Sequence, residues 1–409
     1  MSRYKFFLLS WLCAALVTGG VVGAFNFIVD PYGFYGVVNI SGFNQQKEGV
    51  RNKIRYVKAL ELPLRKPTTI VMGSSRVHDG VNPQHFLLQE SLFTPVYNLG
   101  VDMNRIHEVL KYLKHSIIHT EVKRVILGLD FFMFNAAQKV NFNFDPNLVG
   151  RKISFVDYIS TSLLSRGALQ DSIETIKTSY AQPERKEFLS NGYRPGNFVF
   201  YKLNDYSSLH YYTNYIFLSP LPSQTKYYFD MYLDEQVFAD FEEILKLCKQ
   251  NNIDIKMYIS PAHANLDGDG IVAAGKWEMM EVWKRRIAKI ADRYETSIWD
   301  FSGYNSVTTE SVQTPMKYYW DSSHFTEITS DLILKRIFDS SVYSHEIPDD
   351  FGVKLSSENI ELDLEKIRKA REIYIAKNPS DTAKRDLLYK SILDGAPLDA
   401  KKLDRMFSP

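Results

Sequence analysis

The sequence predicts an α/β domain with a parallel central sheet, held at a membrane by one N-terminal transmembrane helix. Two patterns predict it. Short apolar runs alternate with stretches of helical periodicity between residues 68 and 338, and residues 6–29 form an apolar stretch without a charge. Short buried strands alternating with helices imply parallel strands joined by helical crossovers, with helices on both faces.

In chain order the apolar stretch comes first. Its 24 residues, 6–29, would span about 36 Å as a helix, enough for a hydrocarbon core of about 30 Å. Arg3 and Lys5 precede it and Asp30-Pro31 ends it. Basic residues on the short leading side put that end in the cytoplasm and the bulk of the chain outside. A cleaved signal peptide is the alternative, since residues 20–24 are mostly small, but the stretch is long for a signal sequence. Residues 30–66 read as an irregular aromatic connector with one helical piece at 53–62.

Regular alternation follows. Strands are expected at 68–72, 96–99, 123–129, 253–260 and 296–301. Helices are expected at 106–118, 237–251, 277–294 and 326–338. Between Phe134 and Tyr227 the alternation fails. That region is polar and rich in Asn and Tyr, with helical pieces at 154–165 and 168–179. It reads as a long insertion, about 135–227, which is either a binding surface or packing particular to this chain. From residue 349 the chain is charged and helix-prone, at 361–376 and 382–393, and reads as a solvated or docking tail. The expected organisation is an anchor at 1–30, an α/β domain at 31–348 and a helical tail at 349–409.

The net charge of +1 gives no electrostatic footprint for nucleic acid. The 25 Tyr and 26 Phe suit a core, and exposed aromatics also suit sugar faces. Cys13 lies in the apolar stretch and Cys248 in an expected helix, so the cysteines imply no disulfide and leave the compartment open. No Cys or His spacing marks a metal site, no Gly-rich phosphate loop is present, and no cofactor is expected.

In a parallel sheet the loops after the strands converge on one edge, where ligands bind. Gly73-Ser74-Ser75, Gly100, Gly128-Leu129-Asp130 and Ser260-Pro261-Ala262-His263 all follow expected strands. Asp321-Ser322-Ser323-His324 precedes an expected helix and would reach the same edge. A serine hydroxyl needs an imidazole to take its proton, and the imidazole needs a carboxylate to fix its tautomer. Ser75, His324 and Asp321 supply that set, with Ser74 the neighbouring alternative nucleophile and an N-cap the alternative role for Asp321. Arg76 reads as an anion-binding side chain or a structural ion pair. His263 reads as a cleft residue or a loop histidine. His78 and Asp79 read as helix surface.

These blocks resemble the SGNH (GDSL-like) hydrolase superfamily. Its Gly-Asp-Ser block is similar to Gly73-Ser74-Ser75, its second-block glycine to Gly100, its Gly-x-Asn-Asp block to Gly128-Leu129-Asp130-Phe131, and its Asp-x-x-His block to Asp321 and His324. The resemblance implies a three-layer α/β/α domain with Ser75 as nucleophile, His324 as base, Asp321 as its orienting carboxylate, and Gly100 and the position of Asp130 at the oxyanion site. Asp130 departs from the family's Asn. An ionised carboxylate repels a developing oxyanion, and losing one such donor costs roughly 100- to 1,000-fold in rate.

The chain more narrowly resembles membrane-anchored SGNH-like proteins of bacterial cell-surface O-acylation, of the alginate O-acetylation and teichoic acid D-alanylation kind. That implies an inner-membrane, single-pass protein with a periplasmic main domain. It also implies acyl transfer, most simply acetyl, to hydroxyls of a polysaccharide or cell-wall polymer beside a membrane-bound O-acyltransferase. A carbohydrate esterase of the same fold and a non-catalytic glycan-binding scaffold are the alternatives.

Overall fold

The computed structural model describes residues 2–138, 144–181, 188–196, 227–313, 315–338, 341–379, 382–383, 386–387, 389–390 and 394. The chain divides into two compact units. One comprises Met1–Lys66, His115–Thr120 and Asn141–Ser190; the other comprises Pro67–Lys114, Glu121–Val140 and Asn191–Pro409.

The first unit carries the N-terminal helix α1 (Arg3–Val29), capped by the Ser2 hydroxyl. It is long and apolar enough to cross a membrane. It ends where Asp30 turns left-handed (φ 49°) and its carboxylate accepts the N–H groups of Phe34, Tyr35 and Gly36. The connector holds two helices rather than the single one expected: α2 (Glu48–Asn52) and α3 (Ile54–Arg65). Further on come α6 (Phe155–Tyr158), which runs straight into a π-turn at Ile159–Leu163, and α7 (Arg166–Ala181). The expected helical pieces at 154–165 and 168–179 correspond to these.

The second unit is α/β. Its strands are β1 (Thr69–Met72), β2 (Val96–Asn98), β3 (Arg124–Leu129), β4 (Asp254–Ile259), β5 (Ile298–Asp300) and β6 (Val353–Leu355), in the sheet order β2-β1-β3-β4-β5-β6. The first five are parallel, as expected, and pair in register, Val71 with Ile126 and Leu129 with Ile259. Every residue of β1 and β3 is buried, which is why both read as unbroken apolar runs rather than alternating ones.

The sheet is mixed rather than wholly parallel, because β6 pairs antiparallel with β5. The start of the tail, expected as solvated or docking, belongs to this sheet. Residues 353–355 close the sheet, and the helix Ile360–Lys377 behind them buries Ile360, Leu364 and Ile367. Half of the expected helix at 382–393 lies outside the described residues. Short helix α4 (Ser75–Gly80) follows β1, and α5 (Ile106–His119) follows β2. The longer helices are Glu235–Gln250, Trp277–Arg293 and Glu327–Ile337, all within two residues of expectation.

Two features aim β1 at the site. The chain runs from β1 to β2 on one side and then to β3 on the other, so the C-terminal end of β1 lies at the point where strand order reverses, the place where open α/β sheets bind ligands. The core beneath includes Val71, Val77, Ile126, Tyr258, Tyr319 and Phe325, side chains whose burial contributes roughly 1.5–3 kcal/mol each.

Candidate active site

Gly73 ends β1 with φ +153°, and a Cβ there would stand 2.9 Å from the Gly128 carbonyl oxygen. Only glycine lets the chain turn this close to β3. Ser74 is the N-cap of α4: its hydroxyl accepts the Arg76 N–H (3.2 Å) and donates to Asp130 Oδ2 (2.6 Å). Ser74 is therefore buried and committed. Ser75, the first residue of α4, is only partly buried. Its backbone N–H is one of those a helix start leaves without an intrahelical acceptor.

The partner loop is a tight turn between the Trp320 N–H···His324 carbonyl bond (2.8 Å) and the Thr326 N–H···Tyr318 carbonyl bond (2.9 Å). Asp321 Oδ1 accepts the backbone N–H groups of Ser323 (2.7 Å) and His324 (2.8 Å), which fixes the carboxylate within its own turn. The N-cap alternative for Asp321 thus describes only part of its role. His324 Nδ1 lies 2.8 Å from Asp321 Oδ2, and His324 Nε2 lies 2.8 Å from Ser75 Oγ. A carboxylate only accepts, so Nδ1 carries a proton, and when the imidazole is neutral Nε2 accepts the Ser75 hydroxyl. Phe325, wholly buried, packs where Gly80 lacks a side chain; a Cβ on Gly80 would collide with its ring. The end of α4 and the His324 turn, far apart in sequence, thus share one contact.

Ser75 and His324 keep some exposure, while Asp321, Ser74 and Arg76 are buried. Burial alone would lower the basicity of His324, but the Asp321 charge and hydrogen bond, with Asp79 behind them, outweigh it and raise its pKa to about 9. Burial likewise raises the Asp321 carboxyl, and the His324 charge and the N–H donors more than reverse this, holding it below the usual carboxylate range.

Arg76 spends its guanidinium inside the protein. Nη1 donates to Asp130 (2.7 Å) and Asp267 (3.0 Å), Nη2 to Asp267 (3.0 Å), and Nε reaches Ser323 Oγ (3.3 Å). Of its two expected roles the structure displays the ion pair, one that ties the ends of β1 and β3 to the His324 turn. His263 is buried. Its Nδ1 accepts the Asn265 N–H (3.2 Å), so Nε2–H donates to the Glu310 carbonyl (2.7 Å). Its backbone N–H holds the Ser322 carbonyl (3.1 Å), so His263 supports the Asp321–His324 turn from below.

The two oxyanion candidates are engaged elsewhere. The Gly100 N–H donates to Asn98 Oδ1 (2.9 Å), and Asp130 accepts from Ser74 and Arg76. Asn98 also donates to the carbonyls of Val77 and Val81, so its amide pins α4 to β2.

His78 and Asp79 are buried rather than on the helix surface. Asp79 stands one turn after Ser75, and its Oδ2 lies 3.8 Å from His324 Nε2. Arg194 grips Asp79 through Nε (2.6 Å) and Nη2 (2.9 Å) and Asp102 through Nη2 (2.7 Å) and Nη1 (3.1 Å). Burial raises the Asp79 carboxyl, against the pull of Arg194 and His324. Sequence reasoning missed Arg194 and Asp102 altogether. For Asp79 a signal existed: the spacing of four from Ser75 puts both on one helix face.

No protein-family model matches the chain, and no curated protein matches it. The site therefore stands on its own geometry.

Among the described residues, His78, Asp79 and Asp102 bring ligand-type atoms within 4.8 Å of one another. Arg194 already supplies the cation for both carboxylates. The arrangement of Ser75, His324 and Asp321 is chemically competent to deliver a serine oxygen to an electrophilic carbon while the imidazole holds its proton.

Proposed function

We propose that the chain is an SGNH-like acyl-transfer enzyme whose nucleophile is Ser75. The observation that carries this is the continuous hydrogen-bonded relay from Ser75 Oγ through His324 to Asp321, at 2.8 Å on each side of the imidazole. Its place after the first strand of a mostly parallel sheet supports the family reading.

In the proposed reaction His324 Nε2 takes the Ser75 proton as Oγ attacks the carbonyl carbon of an acyl donor. The oxyanion faces the Ser75 N–H, with Gly100 available once its bond to Asn98 opens. The imidazolium returns the proton to the leaving oxygen, which leaves an acyl-serine. A hydroxyl of a polysaccharide or cell-wall polymer, deprotonated by His324, then attacks that ester. The acyl group moves to the acceptor and Ser75 regains its proton. Acetyl is the simplest acyl group. With water as acceptor the same residues make an esterase.

The apolar length of α1 supports a single-pass anchor in the bacterial inner membrane, and the leading Arg3 and Lys5 support a periplasmic main domain. A membrane-bound O-acyltransferase is the proposed donor-side partner, and residues 135–227 are proposed as the long insertion. The engaged state of Gly100 and Asp130 favours a second reading, a glycan-binding scaffold that keeps the relay without turnover.

Hydrolysis of p-nitrophenyl acetate by the full chain in detergent, beside Ser75→Ala and Ser74→Ala, separates the two. The enzyme reading expects a loss of roughly a thousand-fold or more in kcat/KM for Ser75→Ala, with Ser74→Ala retaining the nucleophile. Labelling of the wild type by a fluorophosphonate, lost only in Ser75→Ala, reports the same nucleophile without an acceptor. A folded wild type that neither hydrolyses nor labels sinks the enzyme reading and leaves the scaffold.

A further inference from the structure

The first unit presents apolar side chains that its own core does not use. Phe155 is 76% exposed, Val156 70%, Leu164 51%, Val37 55% and Ile40 53%. Large exposed apolar groups mark a contact surface, and the places of Leu164 and of the Val37–Ile40 loop beside α1 say which. Leu164 Cδ2 would stand 3.4 Å from a Cβ on Gly23, and the Leu163 carbonyl accepts from Asn26 Nδ2 (2.7 Å). Phe155 and Val156 open the helical run that ends at Leu163, just ahead of Leu164. Elsewhere on α1, Asn44 Nδ2 bonds the carbonyls of Ile28, Val29 and Val38, which holds the loop with Val37 and Ile40 at the helix end.

The length of α1 puts Leu164 at lipid depth and the loop with Val37 and Ile40 near the headgroups. Its first uncharged residue after Lys5 is Phe6. A hydrocarbon core of about 30 Å takes about 20 helical residues, which reaches residue 25. Tilt carries the boundary further along the helix. Gly23, with Leu164 against it, falls inside that boundary. Asn26 sits at the boundary and is wholly buried, with Nδ2 on the Leu163 carbonyl and Oδ1 accepting the Ser172 hydroxyl (2.8 Å). A polar side chain next to lipid needs this internal satisfaction. The exposed Lys152 and Arg166 flank the segment, as basic residues do at the headgroup level.

We propose that residues 155–164, with Val37 and Ile40, form a second membrane contact: a collar around the last turns of α1 that seats its exposed side chains among the lipids of the leaflet at the Asp30 end. The proposal rests on the reading of α1 as a membrane anchor. Its consequence is that the first unit is fixed against the bilayer surface rather than swinging on a single helix.

The test uses the full chain in vesicles of phosphatidylethanolamine and phosphatidylglycerol. A Cys13→Ala background leaves the buried Cys248 as the remaining native thiol. An environment-sensitive fluorophore is placed at Phe155→Cys, Leu164→Cys, Val17→Cys or Lys289→Cys, each on an exposed side chain. Lipids carry a quencher either near the headgroup or deep in the acyl chain. The collar predicts that the 155 and 164 labels lose roughly half their emission to the shallow quencher, that the 17 label responds to the deep one, and that the 289 label responds to neither. Quenching at 17 with 155 and 164 behaving like 289 overturns the collar and leaves the anchor standing. Blue-shifted but unquenched emission at 155 and 164 also overturns it and points to a second copy on this face. No quenching at 17 overturns the anchor and the collar together.

Discussion

Replacing Asp79 by Asn tests whether the relay is tuned from outside its three members. The change removes a buried negative charge 3.8 Å from His324 Nε2 and keeps the side-chain shape. At that distance the attraction between the carboxylate and an imidazolium is about 4 kcal/mol for an effective dielectric of about 20, equivalent to about 3 pH units. This is a ceiling, because both charges are spread over two atoms. The pKa of His324 is therefore expected to fall from about 9 by about one to three pH units. The assay is the imidazole 15N titration of histidine-labelled protein, with His324→Gln identifying the signal. Arg194 keeps Asp102 and gains an Asn oxygen, so the fold is expected to survive with a loss of about 2 kcal/mol. An unchanged His324 titration in folded Asp79→Asn would show that Asp321 alone sets the basicity and would refute the role assigned to Asp79.

Four further outcomes are expected. His324 must be neutral to accept the serine proton, so ester hydrolysis should rise with pH along a limb centred near 9, read from kcat/KM against pH. The same raised pKa stabilises the fold fully below the unfolded value of about 6.5. That contribution is lost as pH rises through about 9, so denaturant midpoints should decline across this window and not in His324→Gln. Arg76→Ala removes the cation from the buried Asp130 and should cost about 3–5 kcal/mol, measured by urea unfolding; a loss below about 1 kcal/mol, the worth of an exposed pair, would refute the buried clamp. Gly80→Ala forces a Cβ into the Phe325 ring and should cost about 1–3 kcal/mol while lowering activity more than Ser74→Ala does, through displacement of the His324 turn.

What could be read in advance was local or periodic. Strands β1 and β3 announced themselves as apolar runs because both faces of the sheet are covered there, and the long helices by their 3.6-residue pattern. Ser75, His324 and Asp321 were legible because a parallel sheet sends the ends of its strands to one edge, so glycine-terminated strands and an Asp-x-x-His before a helix already imply a meeting. The edge strand at 353–355 was not legible. Three residues carry no period, and their pairing with Ile298–Asp300 is antiparallel, against the pattern of the rest.

The sequence by itself determined the α/β alternation, the apolar length of α1 and the residue types of the relay. Tertiary structure alone decided which serine faces the imidazole, since Ser74 and Ser75 are chemically identical until the α4 cap consumes one of them. It decided that Arg76 serves Asp130 and Asp267, and that Arg194 binds Asp79 across 115 residues of chain. Ion pairs of that span leave no periodicity. A charged side chain reads the same whether it faces water or a partner, and only burial, which makes an unpaired charge untenable, forces the choice.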